Sequence, residues 1–193
     1  MNSLQIAARS RQPDMVQSST QLQTLDTLQV NPTNYFLWDF AGVDGLQAAI
    51  ALFSPAVSHL APWQSLTAAW QHRSCSVLRL CENNFRVALP EEMPFDQAIQ
   101  ALGLKVWVKP YPAATLVLPV EVGLPRLQTI ATTKPIYTLN PFPSDRAVPA
   151  RINDAAILAW HHPWQGQPKL TIQTARNHVQ AIQLALAPES STP

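Results

Sequence analysis

Between Cys75 and Val122 the hydrophobic period changes from two residues to about 3.6 and back to two, and this stretch predicts the centre of the fold. In SVLRLCENNFRVALP two apolar runs flank Asn83-Asn84, a pair that tolerates the positive φ of a two-residue type I′ turn. The turn predicts a hairpin pairing Glu82 with Phe85, Leu80 with Val87 and Leu78 with Leu89. Alternation then puts Leu78, Leu80, Phe85, Val87 and Leu89 on one face, with Arg79, Cys81, Arg86 and Ala88 on the other. The segment EEMPFDQAIQALG predicts a helix. Pro94 suits its first turn, Glu91, Glu92 and Asp96 lie at the positive end of the dipole, Phe95, Ile99 and Leu102 form one stripe, and Gly103 stops it. LKVWVKP alternates Leu104, Val106 and Val108 against Lys105, Trp107 and Lys109 until Pro110 ends it. TLVLPVEV predicts one more strand, with Leu116, Leu118, Val120 and Val122 inward and Pro119 favouring an edge.

Outside this unit, YFLWDFAG reads as a strand carrying Asp39, expected at an exposed strand end or as a cap for the helix after it. That helix spans 43–53, with Val43, Leu46, Ile50 and Phe53 on one face, and a second is predicted over 62–72, where Trp63, Leu66, Thr67 and Trp70 align. Pro125, Pro135, Pro141, Pro143 and Pro149 keep the next stretch to short strands at 127–131 and 135–139. Asn153 or Asp154 is expected to cap a helix running through Trp160, with His161-His162 at its solvated end, and Thr174 to cap a last helix with Val179, Ile182 and Leu186 on a narrow stripe. Together these elements predict an α+β fold: a small, mainly antiparallel sheet built on a central β-hairpin-α-β-β unit and packed with helices. The expected organisation is an N-terminal flexible or docking arm over 1–33, a single domain over 34–187 and a disordered tail over 188–193.

Composition narrows the function classes. With 193 residues, 47% of them hydrophobic, the chain is long enough for a substantial core. Thirteen Lys and Arg against twelve Asp and Glu leave a net charge of +1, so no global field draws the chain to nucleic acid or an anionic membrane. Charged residues make up only 13%, about half the usual share, and six tryptophans are present, so the surface is covered by neutral polar residues or by another protein. No apolar run reaches the roughly 18 residues of a membrane span. Cys75 and Cys81 lie at the two ends of one predicted strand, too far apart to bridge, and no secretory signal is evident, so a reducing, cytoplasmic location is expected.

Candidate chemistry is sparse. His161-His162 lacks the spacing of a zinc site, no G-x-S-x-G turn or P-loop occurs, and five glycines leave little material for phosphate cradles; no metal, cofactor or catalytic residue is expected. If the hairpin and LKVWVKP share a sheet, Arg79, Arg86, Lys105, Trp107 and Lys109 form a basic, aromatic-bearing face, the pattern of a single-stranded nucleic-acid or partner platform. The stripes Leu22, Leu25 and Leu28, and Val179, Ile182 and Leu186, are candidate partner-docking surfaces. The expectation is a non-catalytic interaction or accessory subunit of a larger assembly, with a protein partner or a second copy of itself. The alternatives are a nucleic-acid-associated module on the basic face, and a small-molecule binder or enzyme with an aromatic pocket near Trp38, Asp39 and Trp107.

Overall fold

In the computed structural model, which describes residues 28–187, two antiparallel sheets lie face to face with helices on both outer sides. The five-stranded sheet runs β3 (Ser65–Trp70), β4 (Arg73–Cys81), β5 (Asn84–Leu89), β2 (Phe36–Ala41), β6 (Trp107–Pro110). The six-stranded sheet runs β1 (Gln29–Val30), β7 (Ala114–Pro119), β11 (Gln167–Thr174), β10 (Ala155–Trp164), β9 (Arg146–Ile152), β8 (Ala131–Thr133). Helices α1 (Gly45–Leu52) and α2 (Phe95–Ala101) cover the first sheet, and α3 (Val120–Ile130) and α4 (Val179–Leu186) the second. The fold is α+β as expected, with two sheets in place of one. Part of the expected arm, Gln29–Val30, is a strand paired to β7; Leu22, Leu25 and the tail at 188–193 lie outside the described residues.

Three apolar clusters fill the layers. Phe40, Val77, Phe85, Val87 and Leu89 of the five-stranded sheet meet Ala48 and Ala49 of α1 and Phe95 and Ile99 of α2. Leu116, Leu118, Ile157, Ala159, Leu170 and Ile172 of the other sheet meet Leu127 of α3 and Ile182 and Leu186 of α4. Each fully buried Phe or Leu in these layers contributes roughly 1.5–3 kcal/mol of transfer free energy. Between the sheets lie Tyr35, Leu37, Leu78, Ala88, Val117, Ala147, Trp160 and Trp164. The stripe Val179, Ile182 and Leu186, expected to dock a partner, is therefore spent on the protein's own core, with Leu28 packed against the same cluster.

Much of the helix–strand assignment holds: β2, α1, α2, β6 and α4 fall where the pattern puts them, and Gly103 ends the α2 segment with φ 65°. The differences have physical causes. The helix predicted over 62–72 is β3, and the one predicted through Trp160 is β10. β10 buries residues on two faces, so its apolar positions are nearly continuous and period two is masked, whereas β3 alternates in burial but carries the apolar Ala69 at an exposed position, which leaves Leu66 and Trp70 at a helical spacing. Val120 and Val122, expected to continue a strand, open α3, which lies so close to the sheet that a Cβ at Gly123 would stand 2.9 Å from Leu170 Cδ2 and 3.1 Å from Leu118 Cβ. β7 is not an outer strand, because the short β1 flanks it. Thr174 caps no helix; it belongs to β11 and donates its hydroxyl to the Ala156 carbonyl.

The hairpin register also differs. Its turn is Glu82-Asn83, with Cys81 opposite Asn84, and neither residue has positive φ. The turns with two positive φ values are Gln71-His72 (47° and 65°) and Gln165-Gly166 (52° and 73°). Moving the turn shifts the register by two, which leaves the faces unchanged, but a bulge between Arg79 and Cys81 adds one more step. That step pairs Arg79 with Phe85 and Leu78 with Arg86, turning Arg79 to the helix side and Leu78 to the inter-sheet side.

Candidate functional site

The chemistry of this chain lies in the layer between the sheets. Asp39, Ser65, Ser76, Arg86, Thr115, His162, Thr171 and Gln173 are all buried, and they occupy the strand positions that alternate with the outer apolar cores. Asp39 and Arg86 are directly opposite on β2 and β5, and their side chains form a two-pronged ion pair, Nε to Oδ1 at 2.7 Å and Nη2 to Oδ2 at 2.8 Å. Asp39 is thus neither an exposed strand end nor a helix cap. Arg86 Nη1 donates across the layer to Gln173 Oε1 of β11, and its guanidinium carbon stands 3.3 Å from the centre of the Tyr111 ring. Burial alone would lower the Arg86 pKa; the bond to Asp39 and its charge, with Tyr111, outweigh this and raise it. Gln173 Nε2 is buried with no hydrogen-bond partner.

A second polar group lies deeper. His162 Nε2 is 3.0 Å from the Tyr35 hydroxyl and its Nδ1 2.9 Å from Ser76 Oγ, while its ring stacks on Trp160 at 3.9 Å. The Ser76 hydroxyl lies within donating distance, 3.2 Å, of the Pro163 carbonyl. Trp160 Nε1 donates to Ser65 Oγ at 2.9 Å. A serine beside a histidine has the look of a nucleophile and its base. Burial argues against that here: desolvation pushes the His162 pKa down to about 3, with His161 adding to the effect, and pushes the Tyr35 hydroxyl well above its usual range. Burial thus disfavours the protonated imidazole that such catalysis passes through, and the bonds of His162 tie β10 to β4 and to Tyr35. The Cys75 thiol, likewise, is pushed up to about 12 by burial.

Two adjoining clefts open beside the ion pair. One, of about 410 Å³, is lined by Trp63, Leu80, Arg86, Tyr111, Leu158 and Gln173 among others. The other, of about 450 Å³, shares Trp63, Pro149, Ala156 and Ile157 with it and adds Tyr137, Lys134 and Arg151. Among the described residues no Asp or Glu lines either cleft. Trp63 forms their common wall with φ 66°, a conformation that a bulky residue rarely adopts. It is held by backbone bonds to Arg79 and Ala147 and by Nε1 donating to the Tyr137 hydroxyl at 3.1 Å.

The five basic-face residues do not come together. Arg86 is 5% exposed and inter-sheet. Arg79 faces the helix side and donates to the carbonyls of Ser58, Leu60, Cys81 and Glu82. Only Lys105, Trp107 and Lys109 form an exposed set, at the β6 edge. Trp38 packs on Phe95 in the outer core, on the opposite side of β2 from Asp39, so the aromatic pocket expected near Trp38, Asp39 and Trp107 is replaced by one around Trp63 and Tyr111. His161-His162 is not a solvated helix end but part of β10, with His162 fully buried. Tyr35, Ser76 and Gln173 were not singled out by the sequence, and His162 was read there only as part of a solvated helix end. The available signal was a pair of opposite charges, Asp39 and Arg86, each inside an otherwise apolar strand.

No family model matches the chain, and no curated protein matches it in sequence. Among solved structures, the glycine cleavage system aminomethyltransferase T of Bartonella henselae superposes with a TM-score of 0.67 at 13% identity, over 89% of this chain and 48% of that one. A chain of the heterotetrameric sarcosine oxidase of Corynebacterium sp. U-96, solved with pyrrole 2-carboxylate, superposes with a TM-score of 0.59 at 15% identity, over 88% of this chain and 90% of that one. This chain thus spans about half the aminomethyltransferase and nearly all of the oxidase chain. Identities this low carry the fold alone.

Proposed function

We propose that this protein is a non-catalytic accessory subunit that works docked to an enzyme partner. The observation that carries the reading is the end-to-end likeness to one chain of a heterotetrameric oxidase, covering 88% of this chain and 90% of that one. It is supported by the low charge of the chain and by exposed Trp107, Val43, Ile136 and Leu184, large apolar side chains of the kind that interface cores take up. The cytoplasmic location expected from the sequence accords with two unpaired cysteines, and among the described residues no helix is long and apolar enough to cross a membrane. The nucleic-acid alternative loses its platform once Arg79 and Arg86 leave the face it needed. The test is purification of the tagged chain from its own source, followed by light scattering. A stoichiometric complex with an enzyme chain is expected, and a bare monomer that retains nothing overturns the reading.

A second reading has its own observation. The cleft floored by Arg86 and walled by Trp63 and Tyr111 has the size and mostly apolar lining of a small-molecule site. Besides its three bonds to Asp39 and Gln173, Arg86 stacks on Tyr111 and lines this cleft. A thermal-shift screen of small carboxylates and amides against the wild type and Trp63→Ala tests it. A shift confined to the wild type supports a ligand site, and identical profiles remove it.

A further inference from the structure

The two ends of the five-stranded sheet differ. Near β3, Ser65 N–H bonds to the Asp145 carbonyl and Gln64 bridges Arg146, so that end is tied to the other sheet. At the opposite end β6 pairs with β2 on one side and, among the described residues, with no strand on the other. Trp107 on this edge is 50% exposed, with Lys109 Nζ 5.2 Å from its ring centre and Lys105, also exposed, two residues before it. Val43, 71% exposed, leaves the turn at Gly42, whose backbone lies directly against Lys105 and Val106. The nearby carboxylate of Asp44 is engaged by the Lys105 amide at 2.8 Å. Among the described residues the edge therefore has no strand partner beyond β2, and it presents two apolar side chains and two ammonium groups.

We propose that the β6 edge is a docking strand for an extended acidic segment of the partner chain. The segment pairs with the open backbone edge, sets an apolar side chain on Trp107 and Val43, and places carboxylates against Lys105 and Lys109. This deepens the subunit reading and rests on it. Charge selects the occupant: a second copy pairing edge to edge would bring lysines against lysines, the usual guard against self-association, whereas an acidic strand is drawn to them. A single-stranded nucleic acid would stack on a sheet face, and both faces at the centre of this sheet are covered, one by α1 and α2 and the other by the second sheet.

The experiment is calorimetric titration of the full chain with a blocked heptapeptide Thr-Glu-Thr-Val-Thr-Glu-Thr, which sets Glu, Val and Glu on one face as Lys105, Trp107 and Lys109 require, its counterpart with Lys in place of Glu, the acidic peptide N-methylated at alternate amides, and a twelve-residue oligothymidine. Only the unmodified acidic peptide is expected to bind. Its affinity should fall roughly tenfold or more in Trp107→Ala and in Lys105→Glu/Lys109→Glu, while Lys134→Glu leaves it unchanged. Binding that ignores these substitutions, or equal binding of the N-methylated or basic peptide, overturns the docking strand; oligothymidine competing at Trp107 does the same. In co-purification, a Trp107→Ala/Lys109→Glu chain that still holds its partner sinks this proposal and leaves the subunit reading standing. A wild-type chain that holds no partner removes the subunit reading.

Discussion

The outer layers and the inner layer of this protein are built on different terms. Where α1 and α2 meet the five-stranded sheet, the buried side chains are Phe40, Phe85, Phe95, Val77, Val87 and Ile99, without a charge among them. Where the two sheets meet, the same strands present Asp39, Arg86 and Ser76, facing Gln173 of β11 and the tryptophans of β10. The outer layers gain from area removed from water, a term that each side chain contributes nearly independently. The inner layer depends on partners: an ion pair or a buried histidine is tolerated only while its bonds are complete, and it fixes how one sheet is set on the other.

Substitutions on adjacent residues of β5 separate the two kinds of layer most sharply. Phe85→Ala should cost about 3–5 kcal/mol, and nothing done to its neighbours short of refilling the cavity should recover it. Arg86→Met should cost a similar 3–5 kcal/mol because it strands the Asp39 carboxylate, yet Asp39→Leu/Arg86→Met should regain most of that loss. Urea midpoints of the three variants check the contrast, and a double mutant no better than Arg86→Met would break it. Gly123→Ala, on the outer side of the other sheet, should cost about 1–3 kcal/mol, because the added methyl must displace Leu170 and Leu118.

Acid should act on the inner layer. His162 titrates near 3 in the folded protein and near its ordinary 6.5 when unfolded, so between those values the unfolded chain binds the extra proton. Stability from this group is complete above about pH 6.5 and falls by about 1.4 kcal/mol for each unit below it. Denaturation of wild type and His162→Gln at pH 7, 6 and 5 checks this; equal slopes for the two proteins would contradict it. Thiol alkylation sharpens the map of accessibility: Cys81 should react in the native protein and buried Cys75 only on unfolding, as read by mass. The smallest effect belongs to the β6 edge, where Trp107→Ala should move stability by no more than about 0.5 kcal/mol, which sets that residue apart from the buried aromatics of both layers.

The sequence made the outer layers legible. Phe95, Ile99 and Leu102 announce α2 because one side of that helix faces water, and the alternation Val106-Trp107-Val108 announces β6 for the same reason. Legibility failed where both sides are covered. AAILAWHHPW reads as a helix since its polar outliers, His161 and His162, are adjacent, and one of them is buried in a polar layer that no local pattern can reveal. The site suffered likewise. Asp39 and Arg86 were each visible, 47 residues apart, but their pairing depends on β2 lying beside β5, and Gln173 reaches Arg86 only because a second sheet is there.

By itself, then, the sequence determined the α+β class, the positions of α1, α2, β6 and α4, and the low charge. These follow from side-chain period and composition, which act over a few residues at a time. The tertiary structure alone decided that there are two sheets, that Arg79 and Arg86 face opposite ways, and that Lys105, Trp107 and Lys109 lie exposed at the edge strand of the described five-stranded sheet. A single bulge after Arg79 reverses the facing of β4 against β5, and long-range strand order sets which edges stay open; neither is encoded in the period of any one segment.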